Sequence, residues 1–192
     1  GTPHLNTRRD FISNLDELPY PARHLIDYTK YHSLIGKNSV STTMMTSRGC
    51  PFRCNFCYVQ YDGRVRARTA DNVIGEIKQC LDIGIREFFL FDENFTINHK
   101  RVYDFCDRLL KDKLNIIFDI RASVNTVNEE ILTKLKEAGC ERIQFGVENG
   151  NPDILKAMNK KVSINTIRKV FKATKKVGIS TYADFMLGYP GE

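Results

Sequence analysis

A chain of 192 residues with 42% apolar and 10% aromatic residues can bury a sizeable core, which excludes intrinsic disorder and a small scaffold held together only by disulfides. Its 29 basic and 23 acidic side chains leave a net charge of +6, too modest an excess to select a partner class. No apolar run approaches the roughly 18 residues needed to cross a bilayer, and the start carries no secretion signal.

Residues 1–41 contain Pro3, Pro19 and Pro21, several charges and no sustained hydrophobic period, so an extended arm or interdomain linker is expected there. Gly1 in place of an initiator Met suggests a piece of a longer protein. From 42 to 192, short β-rich runs alternate with longer segments of helical period, the pattern of repeated βα units and a parallel sheet. Strands are predicted at 43–47, 87–91, 116–121, 142–147 and 180–187. Helices are predicted at 71–82, 99–112, 129–138 and 165–177, with a shorter one over 152–158 capped by Asn151. Gly84, Gly139 and Gly178 each follow a helix, as C-terminal stops. Such α/β repeats form a doubly wound sheet or a barrel, and both place functional residues at the C-terminal ends of the strands.

Cys80 and Cys106 fall on apolar helical faces, with Val73, Ile77 and Leu81 around the first and Val102 and Leu109 around the second. Together with Cys140 they read as buried small hydrophobes of a protein kept in a reducing, cytoplasmic compartment. Cys50, Cys54 and Cys57 are different, because they form a C-x3-C-x2-C loop directly after the first strand. Soft thiolates so close in sequence suit zinc or an iron–sulfur cluster. No second C-x2-C or H-x3-H pair completes a structural zinc site, and three ligands leave one metal position open.

This loop, with Phe56 just before its last cysteine, resembles the radical S-adenosylmethionine superfamily. Later stretches resemble the same family: Asp92-Glu93-Asn94-Phe95-Thr96 after the second strand, Gly146-Val147-Glu148-Asn149-Gly150 at the fourth, Ile154 to Lys160 beyond it, and Asp184 to Glu192 at the fifth. The resemblance implies a partial (β/α)6 TIM-like barrel over 42–192, with five of six parallel strands present and the barrel incomplete at its C-terminal end. It implies a 4Fe-4S cluster on Cys50, Cys54 and Cys57 whose open iron binds S-adenosylmethionine, and reductive cleavage of that cosubstrate to a 5'-deoxyadenosyl radical.

The same resemblance carries roles to single residues. Phe56 is expected against the adenine edge. Asp92, Glu93 and Asn94 are expected to accept hydrogen bonds from the cosubstrate ammonium, although the family often has glycines there. Glu148 is expected at the ribose hydroxyls, Lys160 and Arg121 toward the methionyl carboxylate, and Asp184 at adenine or ribose. A turn or helix cap for Asp92 and Asn94, an ordinary salt bridge for Arg121, a solvated face for Lys160, a core aromatic bracing the loop for Phe56, and a structural role for Asp184 stay open.

The arm from Phe11 to Tyr31 resembles the linker before the barrel in the cobalamin-dependent class, which includes oxidative cyclases and methyltransferases. Cobalamin would then be held by an upstream domain that this chain lacks. The implied partners are a small-molecule substrate and an electron donor such as flavodoxin or ferredoxin. A methylthiotransferase acting on tRNA and a noncatalytic metal- or RNA-binding module are the alternatives. Arg64, Arg66 and Arg68 alternate on one side of an extended segment, as an RNA contact or, more simply, a solvated ridge. Gly188 to Gly191 lacks the Lys-Ser/Thr of a phosphate loop and reads as a turn.

Overall fold

The computed structural model describes residues 3–7, 9–33, 40–58 and 63–192. Its main sheet has five parallel strands: β1 (Ser41–Met44), β4 (Glu87–Leu90), β5 (Ile117–Ala122), β6 (Cys140–Glu148) and β7 (Ser180–Phe185), in that spatial order. A short antiparallel pair, β2 (Ser47–Arg48) and β3 (Arg66–Ala67), brackets the cysteine loop. The connecting helices are α1 (Ala70–Asp82), α2 (His99–Lys111), α3 (Glu129–Glu137) and α5 (Ile164–Lys176), with the one-and-a-half-turn α4 (Pro152–Ala157) after β6. β1 and β7 stand at opposite edges, so among the described residues the five strands and the helices between them form an open arc of a barrel.

Side-chain alternation builds the two faces of this arc. In β5, Phe118, Ile120 and Ala122 are buried in the hydrophobic core, whereas Ile117, Asp119 and Arg121 stand on the other face. In β6, Ile143, Phe145 and Val147 join the core, leaving Arg142, Gln144, Gly146 and Glu148 to the inner face. Phe105 makes edge contacts with Phe95 and Phe118, joining α2 to the sheet. Thr69, Asn98, Asn128, Asn151 and Ser163 each cap the following helix by accepting a backbone N–H. Gly84, Gly139 and Gly178 end the helices in the left-handed region, as expected.

Helix bounds lie within one residue of those expected, but three strands differ by more: the first begins at Ser41, the fourth, expected at 142–147, runs from Cys140, paired with Phe118, to Glu148, and the last is shorter. The expected strand 43–47 breaks after Met44, because the backbone N–H groups of Thr46 and Ser47 donate to the Asp92 carboxylate instead of to a neighbouring strand. The last strand ends at Phe185 instead of 187. There Gly188 takes φ +76° and the Glu192 carboxylate accepts the N–H groups of Gly188 and Tyr189, closing the expected turn.

The arm is short of regular structure but not free. Its described residues make three 3-10 turns, Leu15–Glu17, Arg23–Leu25 and Tyr28–Lys30, and dock on α1. Leu15 is buried, Asp16 accepts from the N–H and hydroxyl of Thr69, and the Tyr20 hydroxyl donates to Asn72 O at 2.8 Å. Arg23 and Arg68 both pair with the buried Glu76, at 2.6 and 2.5 Å. Arg66 donates to Ile12 O and lies 4.7 Å over the Phe11 ring. Arg66 and Arg68 are therefore anchors of the arm and not a solvated ridge. Cys80, Cys106 and Cys140 are buried, as expected. Among the described residues no helix is long and apolar enough to cross a membrane.

Candidate active site

A cavity of about 310 Å³ lies where β4, β5, β6 and β7 end. A larger one, about 700 Å³, sits at the opposite end against Ser41, Glu87, Ile117 and Ser180, each the first residue of its strand. Parallel βα units carry chemistry at the C-terminal strand ends, where the loops converge, so the smaller cavity is the candidate site. Cys50, Cys54, Phe56, Cys57, Glu93, Asn94, Arg121, Glu148, Lys160 and Asp184 all line it. These are ten of the eleven residues singled out from the sequence. Asp92 is the exception.

The cysteine loop is fixed at both ends. At its base Gly49, at φ +99°, donates its N–H to Glu93 Oε2 at 3.1 Å. At its crest Asn55 donates through its N–H to Met158 O and through Nδ2 to Ala157 O, while Asn159 Nδ2 donates to Arg53 O at 2.6 Å. The loop thus spans from the tip of β4 to the end of α4. Cys50 and Cys54 are partly buried and Cys57 is exposed. Burial pushes the Cys50 and Cys54 thiols up, and Lys160 pulls Cys54 partly back. Among the described residues no three His, Cys, Asp or Glu side chains form a group that could hold a single metal ion. The donor set fits an iron–sulfur cluster: three soft ligands on one loop, facing one cavity.

Beside the loop, Glu148 ends β6 at φ +69° and its Oε1 accepts from Lys160 Nζ at 2.9 Å. Lys160 Nζ lies 6.0 Å from the centre of the Phe56 ring. Opposite, Arg121 donates through Nε to Gln144 Oε1 at 3.2 Å, and Gln144 Nε2 donates to both oxygens of Asp184, at 2.8 and 3.1 Å. The Arg121 guanidinium lies 3.8 Å over the Phe91 ring. Burial lowers the Arg121 pKa, opposed by the charges of Asp184 and Glu93. Gln144 was not singled out, though its place two residues before Gly146 on the same strand face was a readable signal.

Two of the acidic-strand residues take positions that adjacency in sequence did not foretell. Asp92 is wholly buried, and its carboxylate accepts from the N–H and hydroxyl of Thr46, the N–H and hydroxyl of Ser47, and Arg101. The structure does not bring it to the cavity, so it has no acceptor left for an ammonium group. Asn94 does line the cavity, but its Oδ1 accepts from Thr96, Ser123 and Thr126, leaving Nδ2 buried without a partner. Asn94 can therefore donate to a ligand but has no free acceptor.

An open-arc α/β barrel with a three-cysteine loop and a cavity at its strand ends lined by charged side chains defines the class: the chain belongs to the radical SAM superfamily, whose family model matches residues 44–192. Membership implies a 4Fe-4S cluster and S-adenosylmethionine. The chain is 34% identical over 187 residues to an uncharacterized methyltransferase of Pyrococcus horikoshii, covering 96% of this chain and 40% of that protein. It is 30% identical over 187 residues to an anaerobic magnesium-protoporphyrin IX monomethyl ester cyclase of Rubrivivax gelatinosus (94% and 33% covered), and 30% identical over 172 residues to a tRNA-2-methylthio-N(6)-dimethylallyladenosine synthase of Clostridium novyi (81% and 37% covered). In fold it is similar to the radical S-adenosylmethionine methyltransferase TsrM of Kitasatospora setae, solved with cobalamin and a 4Fe-4S cluster, with a TM-score of 0.73 at 18% identity over 80% of this chain and 32% of that one. The chain spans one third to two fifths of the length of these curated relatives.

Proposed function

We propose that this chain is the catalytic barrel of a cobalamin-dependent radical SAM enzyme, a methyltransferase or cyclase acting on a small molecule. The observation that carries the reading is the convergence of Cys50, Cys54 and Cys57 with Glu93, Asn94, Arg121, Glu148, Lys160 and Asp184 on one cavity at the strand ends. Bound there, the cluster and cosubstrate supply reductive cleavage of the sulfonium S–C5' bond. The chain's own residues bind and orient the cosubstrate and keep solvent from it.

Glu93, exposed beside the loop, accepts from the cosubstrate ammonium. Asn94 Nδ2 and Arg121 donate to its carboxylate, because both are donors with unused capacity facing the cavity. Glu148 accepts from the ribose hydroxyls with the oxygen that Lys160 leaves open, and Lys160 holds the carboxylate of Glu148 in place. Phe56 lies against the adenine edge, and Asp184, held by Gln144, faces adenine or ribose.

The methyltransferase and cyclase relatives support the branch. In this reading residues 1–41 lead from an upstream cobalamin-binding domain, and an electron donor such as flavodoxin or ferredoxin reduces the cluster in the cytoplasm. The tRNA methylthio synthase relative keeps a second reading, modification of RNA, in play at the level of substrate. Anaerobic reconstitution with iron and sulfide tests the cluster: a brown protein is expected, with the colour lost in Cys50→Ala, Cys54→Ala and Cys57→Ala and kept in Cys80→Ala, Cys106→Ala and Cys140→Ala. A colourless, stoichiometric zinc protein would overturn it.

A further inference from the structure

We propose that Arg101, on α2 and outside the cavity, is a positioning residue for the cysteine loop, acting through Asp92. The proposal rests on the reading of Cys50, Cys54 and Cys57 as cluster ligands, and adds a residue to which neither motif nor family membership gives a role.

The argument starts at the point where β1 stops. Thr46 and Ser47 leave the sheet and give four hydrogen bonds to one carboxylate: Thr46 N to Oδ1 at 2.6 Å, Ser47 N to Oδ1 at 3.0 Å, and the two hydroxyls to Oδ2 at 2.6 Å each. Asp92 therefore fixes both the backbone and the side chains of the two residues that lead into the loop. Glu93, its neighbour, holds the N–H of Gly49, the residue before Cys50. The path of the chain into the first thiol is set by two consecutive residues of the β4 tip.

A carboxylate with no solvent exposure is strongly disfavoured unless a cation and donors surround it. Arg101 is that cation. Its Nη2 donates to Asp92 Oδ2 at 3.1 Å and to Phe95 O at 3.0 Å, and its Nη1 donates to Thr46 Oγ1 at 2.6 Å. The guanidinium also lies 4.7 Å over the Phe95 ring, so packing as well as charge fixes its plane. Burial lowers its pKa while Asp92 raises it, and the guanidinium remains charged.

Removing one partner of such a pair is costly, yet replacing the whole pair by apolar side chains is often neutral for stability. A buried Asp–Arg pair is therefore a poor means of stabilising a fold and a good means of holding a segment in one geometry. Here the segment it holds is the entrance to the cysteine loop. Thr46 Oγ1 is the joint, since it donates to Asp92 and accepts from Arg101.

The test uses the whole chain, reconstituted anaerobically with iron and sulfide, and follows loss of visible absorbance when a ferrous chelator is added. Four variants are compared: Arg101→Met, Arg101→Lys, Thr46→Val and Ser47→Ala. Groups bonded directly to a metal ligand typically contribute about 10- to 100-fold to metal retention; Arg101 acts at a further remove, through Asp92 and Thr46, so iron loss is expected to accelerate by about the lower end of that range in Arg101→Met and by less in Thr46→Val. Arg101→Lys should restore part of the retention, since it returns the charge without the fork.

Thr46→Val and Ser47→Ala keep the direct Asp92–Arg101 contact but each take one buried hydroxyl donor from Asp92, so the cluster-free protein should melt between Arg101→Met and wild type while iron loss still accelerates. If Arg101→Met does not fold, those two decide. Wild-type retention in both would overturn the proposal and leave Arg101 a packing residue. A wild-type chain that binds no cluster at all would overturn the cluster reading as well, and the two failures are told apart by that first measurement.

Discussion

Glu148 and Lys160 form a 2.9 Å ion pair that exists because Gly146 has no side chain. A Cβ at Gly146 would lie 2.3 Å from Glu148 Oε1 and 3.0 Å from Lys160 Nζ. A Cβ here would displace the ends of the side chains that pass over it, a demand unrelated to the glycine's own backbone angles. Gly146→Ala is expected to shift the pair and weaken S-adenosylmethionine binding, by less than Glu148→Ala, which removes the carboxylate. Loss of a hydrogen bond to a charged group is worth roughly 1.5–3 kcal/mol, or about 10- to 100-fold in affinity. Equilibrium binding to the reconstituted protein measures it, and unchanged affinity in both variants would remove Glu148 from the site.

Asn94→Asp keeps the shape of the side chain but turns the unpartnered Nδ2 donor into an acceptor. If Nδ2 meets the cosubstrate carboxylate, the variant places two negative groups together, and binding should fall further than in Asn94→Ser. Equal losses in the two variants would show that Asn94 serves Ser123 and Thr126 alone.

Gly75 sits in the middle of α1, where Ala is ordinarily better by roughly 0.5–1 kcal/mol. In this chain a Cβ there would lie 2.5 Å from the Tyr20 hydroxyl, which ties the arm to Asn72 O. Gly75→Ala should therefore lower the melting temperature and hasten proteolysis of residues 15–30. A higher melting temperature with an equally resistant arm would mean that Tyr20 does not seat there.

Burial pushes the Cys106 thiol from its ordinary 9.0 up to about 12, and Cys140 is raised by the same cause. A folded value above the unfolded one means that the unfolded chain loses its proton first. The stability contributed by the buried thiol is complete below about pH 9 and is lost as pH rises toward about 12. Urea unfolding at about pH 8 and about pH 10 should show a steeper decline for wild type than for Cys106→Ala, which has no thiol to ionise there. Parallel declines would contradict the assignment.

Much of this arrangement was legible in one dimension, and the reasons differ by element. Helical period marks α1, α2, α3 and α5, because those helices bury one continuous face, and glycine stops end α1, α3 and α5. The cavity residues were legible through the resemblance of the cysteine loop and of the stretches that follow the later strands, since this architecture gathers side chains where its strands end. Asp92 was misread by its neighbours Glu93 and Asn94. Strand parity places Asp92 with Phe88 and Leu90 on the helix-facing side, while Glu93 follows Phe89 and Phe91 toward the cavity. Arg101 carried no signal, since its partners are distant in sequence and one charge at the margin of an apolar helix face is ordinary. The arm was illegible for a related reason: it docks through single contacts of Leu15, Tyr20 and Arg23, which have no period.

The most direct test of the central claim is the electron paramagnetic resonance spectrum of the reconstituted, chemically reduced chain with and without S-adenosylmethionine. A 4Fe-4S signal that changes on addition of the cosubstrate, and is absent in a Cys50→Ala, Cys54→Ala, Cys57→Ala triple variant, is the expected result. A cluster signal indifferent to S-adenosylmethionine, or no cluster signal in the wild-type chain, would contradict it.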